Sequence, residues 1–286
     1  MRKYINMILA VSTVLAFASC EKDKYGTDAG NDTDPFIVVS VFSAEFPNDP
    51  DCDAVIRVAA NNATSDIYLL AESASAKEAR GMSDEAYADY VVSNGTKLSF
   101  TSSQFDGSLG TDITLSKLYG DNVISAVAVN SKGKYIASES FFGQKWEDVV
   151  DGSYTFGKSF MASRVGGTEV STTLQQNSDN KSNYRFKDLW GAGKHLNISL
   201  MNQKGEDEDG VYTFFRVPAQ ATPFTYGTYG TISVRDVGYW QGDVSWITEG
   251  GYESGMYADH SCFIMVQYYV SAGNLGYGYD FFTPDE

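Results

Sequence analysis

The sequence predicts a mainly β protein of two β-sandwich-like domains, the first carrying one inserted helix. Three observations support this. The chain has 286 residues, enough for one large domain or two modest ones at roughly 100–200 residues each. Short apolar or alternating runs recur between turns rich in Gly, Asn and Ser. The composition then shifts near residue 146 and becomes crowded with aromatic side chains. With 19 Tyr, 17 Phe and 4 Trp, the chain is far too aromatic for an acidic disordered protein. A formal net charge of −16 repels phosphate backbones and argues against general nucleic-acid binding.

Residues 1–19 read as a targeting segment. Arg2 and Lys3 precede an apolar stretch from Ile5 to Ala18, which is shorter than the roughly 20 residues that span a bilayer. The stretch ends in Phe17-Ala18-Ser19-Cys20. This resembles a bacterial lipoprotein signal and its lipobox, with Phe17 where Leu is usual. The resemblance implies cleavage before Cys20, acylation of its thiol and an outer-membrane lipid partner. Two or more acyl chains give stable anchoring where one is marginal. Residues 20–35 are rich in Asp, Gly, Asn and Thr and have no apolar period, so they read as a tether reaching at most ~50 Å. The acidic Glu21-Lys22-Asp23 after the cysteine resembles the surface-export signal of Bacteroidota lipoproteins. That implies display at the cell surface; an ordinary solvated spacer on a periplasm-facing anchor is the alternative.

Residues 36–145 form the first expected domain. Phe36–Phe42 is almost wholly apolar, Ala54–Ala60 alternates with Arg57 on one face, and Ile67–Ala71 is a further apolar run. Lys97–Thr101 alternates around Leu98 and Phe100. Val123–Val129, apolar on both faces, reads as a central strand, and Ser131-Lys132-Gly133 turns the chain into Tyr135–Phe141. One helix interrupts the strands. Ser83 caps it, Asp84 and Glu85 favour its N-terminal dipole, Tyr87, Tyr90 and Val91 form its apolar face, and Asn94-Gly95 stops it. This order of strand pair, helix, strand, Leu115-x-x-Leu118 and Val123–Gly133 resembles the fibronectin type III or Ig-like modules of Bacteroidota surface lipoproteins. Such modules identify a scaffold and name no ligand.

Trp146–Gly152 reads as a junction, and residues 146–286 as a second β-sandwich domain. Leu196, Ile198 and Leu200 alternate with polar residues, as do Ile232 and Val234, while Phe263–Val270 is apolar on both faces and reads as central. Trp146, Tyr154, Phe156, Leu174, Tyr184, Phe186 and Phe282 follow one another much as in C-terminal domains of uncharacterised Bacteroidota lipoproteins, a diffuse similarity that implies no activity.

No catalytic motif stands out. The two histidines, His195 and His260, read as structural or surface residues, and there is no Gly-x-Ser-x-Gly elbow. Ser178-x-x-Lys181 lies in a polar turn without a helix to aim the lysine. The carboxylate runs Asp49–Asp53 and Glu206–Asp209 lack the spacing of a calcium loop and read as solvated turns. Cys52 and Cys262 read as buried free thiols. No cofactor or metal is implied. The aromatics alone point to a ligand, because sugar C–H faces stack on flat rings while hydroxyls take polar neighbours. The candidate platform is Tyr239, Trp240 and Gln241 between Gly238 and Gly242, with Asp243 directly after them, helped by Trp190 or Trp246; a Tyr/Trp-rich core is the competing explanation. The expected function is a non-enzymatic envelope lipoprotein that binds glycan or another envelope protein. A polysaccharide hydrolase and a fimbria-associated subunit are the alternatives. Mass spectrometry of the native protein is expected to find a lipid-modified Cys20 as the first residue; an unmodified chain beginning at Met1 contradicts this.

Overall fold

The computed structural model describes residues 33–102, 109–237 and 251–285, and these are mainly β. Their contacts divide into two compact units. The first holds residues up to Phe42, Ala54–Leu115 and Asp121–Phe141; the second takes Ser43–Asp53, Ser116–Gly120 and the chain from Phe142 onward. The grouping differs from a boundary at 145/146 by these short segments.

The first unit contains β1 (Ile37–Ser43), β2 (Ala54–Ala60), β3 (Asp66–Ser73), α1 (Ala74–Arg80), α2 (Asp84–Asn94), β4 (Thr96–Lys97), β5 (Thr101–Ser102), β6 (Leu109–Leu115), β7 (Gly120–Val129) and β8 (Lys134–Gly143). They form two four-stranded sheets, ordered β1-β2-β6-β5 and β4-β3-β7-β8. Ile37, Val39, Ile56 and Val58 of the first sheet are buried, as are Ile67, Leu69, Ile124, Ala126 and Ala128 of the second. The second sheet is covered on its other face too. Tyr68, Leu70, Val127 and Val129 pack against Tyr87, Ala88 and Val91 of α2, which explains why β7 is apolar on both faces. Ser83 caps α2 by accepting from the Ala86 amide at 3.3 Å. The Tyr87 hydroxyl donates to Glu72 at 2.7 Å, and burial pushes its phenol up to about 12. Two elements differ from expectation. The Lys97–Thr101 run crosses from one sheet to the other, since β4 pairs with β3 and β5 with β6. The unanticipated α1 is capped by Ser73 and stopped by Gly81 at φ 57°, a left-handed position suited to glycine.

The second unit contains β9 (Trp146–Thr155), α3 (Ser159–Val165), β10 (Glu169–Asn177), β11 (Asn183–Phe186), β12 (Leu196–Asp207), β13 (Gly210–Arg216), β14 (Gln220–Thr225), β15 (Thr231–Asp236), β16 (Gly255–Tyr257), β17 (Cys262–Val270) and β18 (Gly273–Pro284). The expected junction at Trp146–Gly152 is therefore a strand. All of these strands belong to one antiparallel sheet that closes on itself. From β9 the order runs β10, β11, β12, β13, β16, β17 and β18, and β18 pairs back onto β9. The β14–β15 hairpin attaches to β17 beyond β16. Among the described residues the strands of the second β domain thus form a single closed sheet.

Tyr154, Leu174, Phe186, Leu196, Ile198, Phe215, Ile264, Tyr268 and Phe282 share one buried cluster, joined by Met161 and Ala162 of α3. Phe186 lies 5.1 Å from both Tyr154 and Phe282 between ring centroids. At the closing seam, a Cβ on Gly152 would meet the Phe282 ring at 2.6 Å, so only glycine allows the strands to approach there. Asp280 of β18 lies fully buried in the seam. It accepts from the hydroxyls of Tyr154 on β9 (2.9 Å) and Tyr268 on β17 (3.0 Å) and from the Gly157 amide (2.7 Å). Burial outweighs these donors and raises its carboxyl to about 6.

Cys52 and Cys262 are buried free thiols, and burial pushes both thiols up. The Asp49–Asp53 run is more than a solvated turn. Asp53 is buried and accepts from the amides of Asp49 and Lys117, while Asp51 pairs with Arg185.

Because Asp280 binds its proton more tightly when folded, its contribution is most favourable below pH 3.8 and is lost as pH rises through about 6. Asp280→Asn is expected to gain stability relative to the parent between pH 4 and 7, by up to about 3 kcal/mol. Urea unfolding of both proteins across that range checks this; a pH-independent difference contradicts it.

Candidate functional site

Strand alternation sends one set of side chains into the closed sheet and the other outward. Ile264, Val266 and Tyr268 of β17 belong to the inner cluster, so Phe263 faces out. By the same parity Tyr277, Tyr279 and Phe281 of β18, Tyr257 of β16, and Tyr212 and Phe214 of β13 face out. Register gathers them, with Tyr212 opposite Tyr257, Gly255 opposite Phe263, and Phe263 opposite Phe281. The result is a continuous aromatic row. Tyr212 lies 5.7 Å from Tyr257 and 4.9 Å from Phe263; Phe263 lies 6.2 Å from Tyr279, and Tyr279 lies 6.2 Å from Phe281. A Cβ on Gly255 would meet the Phe263 and Tyr212 rings at 2.5 and 2.6 Å, so this glycine lets both lie close to the backbone.

The row runs from buried to open. Tyr212 is 7% exposed, whereas Tyr277 and Phe281 are 44% and 49% exposed. Polar groups border it. The Tyr257 hydroxyl donates to Asp207 at 2.6 Å, and burial together with that carboxylate holds its phenol above its ordinary value. A hollow of about 530 Å³ beside Tyr257 is lined by Asp209, Val211, Asp259 and Ser261. Asp259 accepts from the hydroxyl and amide of Ser261, which hold its carboxyl below the usual range. Glu253, whose charge acts on Tyr212 and Tyr279, has a buried carboxylate oxygen without a hydrogen-bond partner. This arrangement presents flat apolar rings beside acceptors, the chemistry that suits a neutral polyhydroxylated chain.

The residues singled out from sequence fall differently. Trp190 is 6% exposed and belongs to the inner cluster, so its indole is a core residue and corrects its place in the proposed platform. Tyr239, Trp240, Gln241, Asp243 and Trp246 lie outside the described residues, as does Cys20. Their segment rejoins the described chain at Gly251, whose carbonyl accepts the Tyr279 hydroxyl at 2.9 Å. The aromatic row itself was missed in sequence, although the alternating Tyr277, Tyr279 and Phe281 carried the signal. His195 is structural: its Nδ1 accepts from the Asp188 amide at 2.9 Å, and burial lowers its pKa. Ser178 and Lys181 flank a turn organised by Asn177, which accepts from the Asp179 and Asn180 amides. Among the described residues no cluster of His, Cys, Asp or Glu is suited to a metal ion, and no helix among them is long and apolar enough to cross a membrane.

No family model, curated protein or solved structure matches the chain.

The exposure gradient separates packing from surface roles. Tyr212→Ala is expected to cost about 3 kcal/mol, as for large aromatic truncations in a core, and Phe281→Ala less than about 1 kcal/mol. Urea unfolding of the two variants checks this; equal losses contradict the gradient.

Proposed function

We propose that the protein is a lipoprotein anchored to the outer membrane through acylated Cys20, which binds glycan on its C-terminal unit without catalysing a reaction. The observation that carries this reading is the aromatic row from Tyr212 to Phe281 beside a hollow bordered by carboxylates. Sugar faces stack on Tyr277, Tyr279 and Phe281, and hydroxyls donate to the carboxylates of Asp209 and Asp259. Tyr239, Trp240, Gln241, Asp243 and Trp246 are retained as candidate ligand-binding residues on their sequence alone. The charge balance fits a neutral glycan, since the acidic chain repels anionic polymers. A hydrolase reading gains less support. A glycosidase needs one carboxyl kept protonated as the acid, and Ser261 pulls Asp259 the opposite way.

One observation favours assembly as a second reading. β1 lies at the edge of its sheet and exposes Val38 and Phe42 at 49%, with Phe36 directly before it, and an edge of this kind is a template for strand addition. Covalent cross-linking of the mature chain tests it: Val38→Lys is expected to abolish any oligomer formed through β1, and an unchanged oligomer contradicts it.

The glycan reading is tested with the mature chain on a glycan array, followed by titration of the strongest neutral glycan. Each stacked ring contributes ~0.5–1.5 kcal/mol, so Phe281→Ala and Trp240→Ala are each expected to weaken binding roughly 2–10-fold with little change in melting temperature. Absence of glycan binding, or unchanged affinity in both variants, contradicts the reading.

A further inference from the structure

A second concave site lies within the C-terminal unit, on a different part of the closed sheet. Its cavity of about 170 Å³ is lined by residues that include Asp51, Gln144, Trp146, Asn183, Asn197 and Ser199. Asn183 of β11 and Asn197 and Ser199 of β12 alternate with the inner residues Tyr184, Leu196 and Ile198, so they face outward. The segment carrying Asp51 is held against this face by two links. The Gln144 amide donates to the Asp51 carbonyl at 2.7 Å, and Asp51 pairs with the nearly buried Arg185. Arg185 also donates to Gln175 at 2.7 Å and stacks 4.4 Å from the centroid of the Trp146 ring.

These contacts define the chemistry of the crevice. The guanidinium is already paired with Asp51, so the crevice has no spare cation for a phosphate or carboxylate. Its remaining polar groups are neutral amides and a hydroxyl. The exposed Asn197 lines the crevice, Asn183 accepts from Ser199 at 3.2 Å and Gln144 accepts from Asn177 at 3.2 Å. The indole N–H of Trp146 is buried in the crevice wall without a partner. Side-chain amides and an unpartnered indole N–H beside an aromatic ring suit a ligand whose hydroxyls both donate and accept and whose C–H groups pack on the ring. The volume falls below the roughly 300–1,000 Å³ of pockets for drug-sized ligands and matches a single ring.

We propose that the crevice between Trp146, Asn183 and Asn197 is a binding site for a single neutral sugar ring, separate from the aromatic row. The choice of sugar over other polyols rests on the glycan reading; the site itself rests on the crevice. The test uses the full mature chain with free glucose, galactose, mannose, fucose and N-acetylglucosamine. Saturation-transfer NMR detects binding, and glycerol and glucuronate serve as neutral-polyol and anionic controls. At least one neutral sugar is expected to bind more strongly than both controls. Asn197→Ala, at an exposed position that leaves packing intact, is expected to weaken that binding at least fivefold, and Phe281→Ala is expected to leave it unchanged. Trp146→Phe keeps a ring and removes the N–H, and is expected to weaken binding as well. Failure of every sugar to bind overturns the proposal, as does binding that Phe281→Ala abolishes and Asn197→Ala spares. Polysaccharide binding that depends on Phe281 without any monosaccharide binding overturns the crevice and leaves the aromatic row standing. Monosaccharide binding that depends on Asn197 without polysaccharide binding has the reverse meaning.

Discussion

The second unit depends on one long-range pairing. β18 is the last strand, and it hydrogen-bonds on one edge to β17, its neighbour in sequence, and on the other to β9, the first strand of the unit. Without the second pairing the sheet would have two open edges, and Tyr154, Phe186 and Phe282 would lose a shared interior. Asp280 sits at this seam and ties β9, β17 and the Gly157 turn through three accepted hydrogen bonds. The carboxyl is costly to bury as an anion, so the seam holds a group that prefers to be neutral. Gly152 completes the arrangement by letting the Phe282 ring lie against the β9 backbone.

Closure also explains where outward-facing side chains gather. The interior is occupied by aromatic and aliphatic side chains and by α3, so the candidate site lies on the outer face. There the antiparallel registers line up rings from four strands into one row, because alternation places every second residue on the same side. The same rule puts Asn183, Asn197 and Ser199 outward on β11 and β12, where the Asp51 segment roofs a polar crevice. In the first unit, α2 covers the outer face of one sheet, while the edge strand β1 exposes Val38 and Phe42.

Local pattern was readable in the sequence and long-range pairing was not. Ser83, Tyr87 and Gly95 announced α2 because caps and an apolar face are short-range features. Leu196 and Ile198, and the doubly apolar Val123–Val129, announced strands by period and position. Trp146–Gly152 was read as a junction because its acidic residues and glycine hide a strand whose partners lie at residues 169–177 and 281–284. The aromatic row was legible only in its β18 part, Tyr277, Tyr279 and Phe281, for a similar reason: Tyr212 and Phe263 meet only once the registers of β13, β16 and β17 are known. Trp190 shows the opposite failure. Its Gly-flanked setting resembled an exposed platform, yet its ring fills the core. Asp51 looked like part of a solvated turn because its partner, Arg185, is distant in sequence.

Closure by β18 is tested most directly by native-state hydrogen exchange of the mature chain. Amides in the paired segments Ser153–Thr155 and Phe281–Thr283 are expected to exchange with the same high protection as those of β10 and β17, opening only on global unfolding of the unit. Rapid exchange confined to these segments, with β10 and β17 still protected, would contradict a closed sheet and the account built on it.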